Sequence, residues 1–488
     1  MEEWSEERIR HIGRRVVDFV ARYLSTVSER RVFTPVPAEL VRVFEEAAWP
    51  QHGTNADELL DEFIALIAPY PFGNGHPRFW GWVNSPPEVM GVFAELLAAT
   101  MNPSCAGGNH AAVHVERMVI RWFSEIVGFP GPEAGSGGLL VSGGTMATVS
   151  ALAIARNVAY GGRARTQGEG AGRGVVYTSE EGHGCIRKAV ELLGIGSDHL
   201  RSIPCDEHFR IELDRLERAL IEDRGRGLTP IAVVASAGMV NTGAIDPLDA
   251  IADLCARERV WLHIDGAYGA PAILSNAYRE PLAAMARADS IAIDPHKWLY
   301  VPVEAGMVLV RDRQAMRDTF SLVPPYLRTD GNAEGVGGPV WFSEYGLQQT
   351  RGFRALKVWM AMKTRGLEGY RQAIEGDLAR AARLVSQVRE HEELELGAPP
   401  GLGIVCFRYV PKASKASAES VDEVNRRLVE ALQLGGEVFL SSTVLRERFL
   451  LRACFVNPLT TDADVDMLVE LTVATGRRIA QGRAADGA

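Results

Sequence analysis

The amino-acid sequence predicts an α/β protein with a mostly parallel central sheet, a helical N-terminal layer and a small C-terminal α+β domain. Three observations carry this reading. The middle of the chain alternates short β-branched runs with helical patterns, the first stretch repeats apolar residues at three-and-four spacing, and strand-like runs thin out beyond about residue 355. At 488 residues the chain is too long for one core at roughly 150 residues per domain. These shifts divide it into 1–90, 91–355 and 356–488.

Ile9, Ile12, Val16, Phe19, Val20, Tyr23 and Leu24 mark an amphipathic helix from Ile9 to Val27. Thr34-Pro35-Val36-Pro37 turns the chain, and a second helical stretch, Ala56 to Ala68, stops at Pro69 before the Gly- and aromatic-rich run Pro71 to Pro87. Strands follow at Gly138–Val141, Val175–Tyr177, Ile231–Ala235, Val260–Ile264, Ser290–Ile293 and Gly306–Val310. Strands separated by helices pair in parallel and are covered on both faces, and ligands gather beyond their C-terminal ends. Gly161 to Gly174, rich in Gly and Arg, reads as a surface loop, with a basic patch as the alternative. A long helix from Arg354 to about Arg365, a polar loop at Pro411 to Ser420 and a final helix from Asp462 to Ala480 complete the chain.

Apolar residues at 47 % and charged residues at 23 % place the chain among ordinary folded proteins. A net charge of -10 argues against non-specific nucleic-acid binding, which needs a basic surface. Cys105, Cys185, Cys205, Cys255, Cys406 and Cys454 form no C-x-x-C pair and no metal-ligand spacing, so a reducing cytoplasm and no metal site are expected. Met1 to Arg10 is crowded with Glu and Arg and lacks the apolar core of a secretory signal. No run reaches the ~20 apolar residues that span a bilayer.

Four segments could carry chemistry, all at predicted strand ends. Asp294-Pro295-His296-Lys297-Trp298 puts a lysine where lost hydration would lower its pKa toward the amine that attacks an aldehyde; a solvated surface lysine is the alternative. Asp265 ends the strand before Gly266-Ala267-Tyr268, as either a partner for a pyridine nitrogen or a turn cap. Ser142-Gly143-Gly144-Thr145 reads as strand, Gly turn and helix start, either a phosphate cradle or a plain βα turn. It matches neither G-x-x-x-x-G-K-[ST] nor G-x-G-x-x-G, which disfavours an NTPase or a dinucleotide enzyme. His183, between Gly182 and Gly184, could stack on a flat ring or cap a helix. Together they supply what a pyridoxal phosphate (PLP) site needs.

With these segments the sequence resembles the PLP-dependent group II amino acid decarboxylases: aromatic-L-amino-acid, glutamate and cysteine-sulfinate decarboxylases, in pattern closest to the aromatic branch. The marks are His76-Pro77-Arg78-Phe79-Trp80, His183, Trp261-Leu262-His263-Ile264-Asp265-Gly266-Ala267-Tyr268, Asp294-Pro295-His296-Lys297-Trp298 and Arg351-Gly352-Phe353-Arg354-Ala355-Leu356-Lys357, covering most of the chain from His76. The resemblance implies the aspartate-aminotransferase type of fold (fold type I), a homodimer with shared active sites and residues 1–90 as its dimerisation layer. It implies Lys297 as the lysine carrying PLP as a Schiff base, Asp265 on the pyridine nitrogen, His183 stacked on the ring and Ala267 on the other face. Gly143, Gly144, Thr145 and His296 would hold the phosphate, with Thr350 reaching the neighbouring subunit's phosphate. Tyr326, in Val323-Pro324-Pro325-Tyr326-Leu327-Arg328, matches the loop tyrosine that protonates the α-carbon.

The implied activity is decarboxylation of an L-amino acid, most simply an aromatic one of the tyrosine, tryptophan, DOPA or phenylalanine type. Trp82, Val83, Asn84, Asn102 and Ser104 stand where the aromatic branch lines its side-chain pocket, and they are more polar than an indole or phenol needs. The alternatives are an acidic amino acid bound through Arg78 or Arg351, and an aldehyde synthase, which the family associates with loss of the loop tyrosine. Gly238-Met239-Val240-Asn241-Thr242-Gly243 lacks the threonine that relatives place after the first glycine, leaving Asn241 or Thr242 as substitutes for its hydroxyl.

Overall fold

A computed structural model describes residues 4–323, 335–412 and 418–482. Two compact units emerge: Val83–Ala381 with Ala398–Val405, and Met1–Trp82 with Ala382–Gly397 and Cys406–Ala488.

The larger unit is built on seven strands: β1 (Gly137–Val141), β2 (Gly174–Ser179), β3 (Leu200–Ile203), β4 (Thr229–Ser236), β5 (Trp261–Asp265), β6 (Ser290–Ile293) and β7 (Gly306–Val310). Their order across the sheet is β1-β7-β6-β5-β4-β2-β3. The pairs β2–β3, β2–β4, β4–β5 and β5–β6 are parallel. Only β7 is antiparallel to its neighbours, β1 and β6. Residues 294–305, which join β6 to β7, contain no helix, so the chain returns directly instead of crossing over. That short return presents His296 and Lys297.

β2, β6 and β7 are buried along their whole length, as expected for a sheet covered on both faces. Val149, Leu152 and Ala155 of the helix Gly144–Ala159 and Ile186 and Val190 of the helix Gly184–Leu192 pack with Val176, Ile231 and Val234 of the sheet. β3 is absent from the sequence-based expectation because it is an edge strand: of Leu200–Ile203 only Ile203 is buried, which leaves no continuous apolar run. Gly161 to Gly174 is likewise more ordered than a loop, with a short helix Ala164–Gln167 and a 3-10 turn Gly168–Ala171. Ala164 and Ala171 are buried there, and a side chain at Gly172 would sit 2.8 Å from the Tyr160 ring, so glycine is needed for packing.

The predicted long helix extends to Arg354–Glu390, broken at Gly366 (φ 65°, ψ 166°), a conformation only glycine adopts readily. In the smaller unit the first helix is Glu6–Ser25, capped by Ser5 accepting from the Arg8 amide at 3.2 Å. Ala56–Glu62 continues as a π turn, Phe63–Ile67. The strands Phe439–Leu445 and Arg448–Cys454 form an antiparallel pair, and Phe79–Trp80 pairs in parallel with Phe439 and Leu440. Thr461 and Asp464 form a capping box at the start of the final helix, Asp462–Ala480. Among the described residues no helix is long and apolar enough to cross a membrane.

Candidate active site

The C-terminal ends of β4, β5 and β6 open onto a cavity of about 440 Å³ inside the larger unit. Register alone brings the first groups together, since Ser236 pairs with Asp265 and Asp265 with Ala292, two residues before Asp294. Ser236, Asp265, Asp294, His296 and Lys297 all line the cavity.

Lys297 is partly buried, and its Nζ lies 3.0 Å from Asp294 Oδ2. Burial alone would lower its pKa, but the nearby carboxylates of Asp294 and Asp265 outweigh that and raise it. This corrects the expectation of a lowered pKa. A strand-end lysine loses water here, yet two carboxylates replace the lost solvation and hold the ammonium charged.

His183 caps the helix Gly184–Leu192, its Nδ1 accepting from the Cys185 amide at 3.1 Å. It also lines the cavity, so the capping and cavity-facing readings are both realised. Burial is the main cause holding its pKa below the ordinary value, with Lys297 acting in the same direction and Asp265 opposing. The neutral ring therefore keeps its proton on Nε2, because Nδ1 is already an acceptor. Asp265 likewise combines a turn bond, Oδ1 accepting from the Ala267 amide at 3.1 Å, with a place on the cavity wall.

Gly143, Gly144 and Thr145 also line the cavity at the start of the helix Gly144–Ala159, where the first amides lack partners within the helix. A Cβ at Gly144 would come within 3.0 Å of both the Ala267 Cβ and Asp294 Oδ2. A Cβ at Gly306 would lie 2.3 Å from the Gly143 Cα. His296 Nδ1 is 2.7 Å from the Ala305 carbonyl oxygen, which fixes its ring, and burial lowers its pKa.

The remaining expected residues divide. Val83 and Ala267 line the cavity. Asn84 is partly buried, Asn102, Ser104 and Thr350 are exposed, and none of these four is on its wall. Trp82 stacks on Phe72 at 4.5 Å. Tyr326 lies outside the described residues. Of the candidates near Gly238, Asn241 donates to Glu181 Oε2 at 2.8 Å and Thr242 Oγ1 accepts from the Ala244 amide at 3.3 Å; it is Met239 and Val240 that face the cavity. Asp294 is the residue that sequence reasoning passed over. Its signal was a carboxylate three positions before the lysine in a turn.

The two arginines considered for an acidic substrate are otherwise engaged. Arg351 is 2 % exposed and binds Glu116 Oε1 at 2.5 Å, the Cys105 carbonyl at 2.9 Å and the Leu140 carbonyl at 2.7 Å. Arg78 donates to the Glu437 carbonyl at 2.8 Å and pairs with Asp464 at 3.4 Å.

An amine beside two carboxylates, a neutral imidazole and a glycine-lined helix start make a site for an anionic aldehyde cofactor. Residues 37–410 match the model of the pyridoxal-dependent decarboxylase conserved domain. The chain belongs to that family. It is 35 % identical over 463 residues to an aromatic-L-amino-acid decarboxylase of Bacillus atrophaeus, covering 94 % of each chain. It is 27 % identical over 467 residues to a phenylacetaldehyde synthase of Arabidopsis thaliana, again covering 94 % of each. The structure of Oryza sativa TDC with PLP and tryptamine superposes with a TM-score of 0.90 at 27 % identity, over 98 % of this chain and 99 % of that one. The chain is thus a PLP-dependent amino acid decarboxylase of fold type I. Its own residues fit the cofactor: the space a Cβ at Gly144 would fill is left open between Ala267 and Asp294.

Proposed function

We propose that the chain removes the α-carboxylate of an aromatic L-amino acid, giving the amine and carbon dioxide, with Lys297 as the lysine that carries PLP. The observation that carries this reading is Lys297, ion-paired with Asp294 in the cavity that Asp265 and His183 also line. An aromatic side chain is favoured by the decarboxylase relative named above, by the apolar Val83, Met239, Val240 and Val303 on the wall, and by the engagement of Arg78 and Arg351 elsewhere.

When bound, PLP supplies an aldehyde for amines and a ring that accepts the electrons released at the α-carbon. Gly143, Gly144, Thr145 and His296 would hold its phosphate, Asp265 its ring nitrogen, and Ala267 and His183 its two faces. Lys297 must shed a proton before it can act as a nucleophile, and Asp294 Oδ2 at 3.0 Å is positioned to take it. Tyr326 would supply the proton for the α-carbon, directly or through His183, whose neutral ring passes on its Nε2 proton only as it receives another. These groups would fix where protons leave and arrive.

The same reading makes the protein a homodimer in the cytoplasm. The helices Glu6–Ser25 and Ala38–Glu46 bury none of their residues, and Trp49 is 83 % exposed, an apolar face suited to a second copy. The Cys105 amide donates to the Arg351 carbonyl at 2.8 Å, tying the segment of Asn102 and Ser104 to that of Thr350. These exposed residues are then offered to the partner's pocket. Cys105, Cys185, Cys205 and Cys255 are free thiols, in keeping with a reducing compartment. Sedimentation should give a dimer; a monomer that retains full turnover would remove the shared-site reading.

Product analysis tests the reaction itself. L-Tyrosine or L-tryptophan should yield amine and carbon dioxide in equal amounts. Aldehyde with ammonia and peroxide would instead place the chain with the aldehyde synthases.

A further inference from the structure

We propose that Asp377 is a positioning residue for Lys297, clamping the turn that presents the lysine by accepting hydrogen bonds from the side chains of Trp298 and Tyr300. The inference rests on Lys297 being the cofactor-bearing amine. Asp377 lies on the helix Arg354–Glu390, away from the cavity wall, and is fully buried. Its Oδ2 accepts from Trp298 Nε1 and from the Tyr300 hydroxyl, both at 2.9 Å, and its Oδ1 has no hydrogen-bond partner among the described residues. Burying a carboxylate this incompletely matched is costly, a cost set against the two bonds it accepts from the turn.

The turn it holds is the one that carries Lys297. The Lys297 amide donates to the Asp294 carbonyl at 2.9 Å and the Tyr300 amide to the Lys297 carbonyl at 3.3 Å. Tyr300 sits at φ 56°, a left-handed conformation that a bulky residue keeps only when its surroundings enforce it. Asp377 grips its hydroxyl, Arg365 lies 5.0 Å from its ring centre, and the Glu88 amide donates to its carbonyl at 2.7 Å. Trp298, next to Lys297, stacks on the cavity-lining Tyr268 at 5.1 Å and an interplanar angle of 13°. One carboxylate oxygen thus fixes two residues of the turn, one and three positions after the lysine.

The groups facing Asp377 also set its ionisation. Burial pushes its pKa up to about 6, against the bonds from Trp298 and Tyr300 and the charges of Arg380 and Arg365. Arg365 is itself paired with Glu88 at 2.8 Å and lies 5.7 Å from the Tyr370 ring centre. Ionised Asp377 accepts stronger, charge-assisted bonds, so the clamp tightens as pH rises through about 6.

The test follows PLP capture by the full-length chain freed of cofactor, trapping the product with borohydride and mapping the labelled peptide on either side of about pH 6. Wild type should label at Lys297. Asp377→Ala should slow capture roughly tenfold or more. Asp377→Asn, which cannot ionise, should lose the part of the pH dependence centred near 6, a change that a merely structural role does not produce. Label at Lys297 with wild-type rate and pH profile in both variants overturns the clamp and leaves the Lys297 assignment standing. Label on another lysine in wild type overturns both. Should Asp377→Ala fail to fold, Trp298→Phe and Tyr300→Phe each remove one donor and should each slow capture severalfold; unchanged rates in both overturn the proposal.

Discussion

At Gly144 the lack of a side chain lets the helix start approach Ala267 and Asp294 closely. An added methyl would meet Ala267 and Asp294 at 3.0 Å, and overpacking of this kind costs about 1–3 kcal/mol. Gly144→Ala should therefore weaken PLP binding about tenfold or more in an absorbance titration while leaving the fold intact, since alanine is the better helix former. Wild-type affinity would show that the phosphate is held elsewhere. The residues that converge here were legible in the sequence where each ends a strand: Lys297, Asp265, His183 and the Gly143–Thr145 turn. What could not be read was their pairing. That Asp294 would keep Lys297 charged, and that Arg351 would be consumed by Glu116, depend on contacts between segments remote in the chain, which no local pattern encodes.

At the scale of elements, β5 carries a chemistry-bearing end and a purely structural middle. His263 in that strand is fully buried, with Nδ1 2.9 Å from Ser290 Oγ and, among the described residues, no partner for Nε2. Burial lowers its pKa to about 4, against the opposing influence of Asp265 and Ser290. The folded state thus keeps it neutral where the unfolded chain, near 6.5, would bind a proton. This group's stabilisation is present above about 6.5 and lost as pH falls toward about 4, a swing of ~3 kcal/mol. His263→Met should flatten the loss of denaturant stability over that window; an unchanged slope would mean that other groups set acid sensitivity. Six of the seven strands of this sheet were predicted within a residue or two because its buried strands are nearly continuous apolar runs, whereas the strands of the smaller unit were not placed. β3 escaped because an edge strand need not be such a run.

At the scale of the molecule, the alternation of strands and helices announced the parallel sheet, but the strand order did not follow from it. The reversal of β7 depends on the absence of a helix between residues 294 and 305. Pairing of Phe79–Trp80 with Phe439–Leu440 joins segments from opposite ends of the chain, a relation invisible to any window of sequence. The family and its cofactor follow from the fold and the matched domain, while the wall of the pocket sets which side chain is accepted. The most direct measurement is carbon dioxide release by the purified enzyme with PLP, comparing tyrosine, tryptophan, DOPA and phenylalanine with aspartate, glutamate and cysteine sulfinate. Turnover of one or more aromatic substrates, abolished by Lys297→Ala, is the expected result. Turnover confined to the acidic substrates, or release that survives Lys297→Ala, would contradict it.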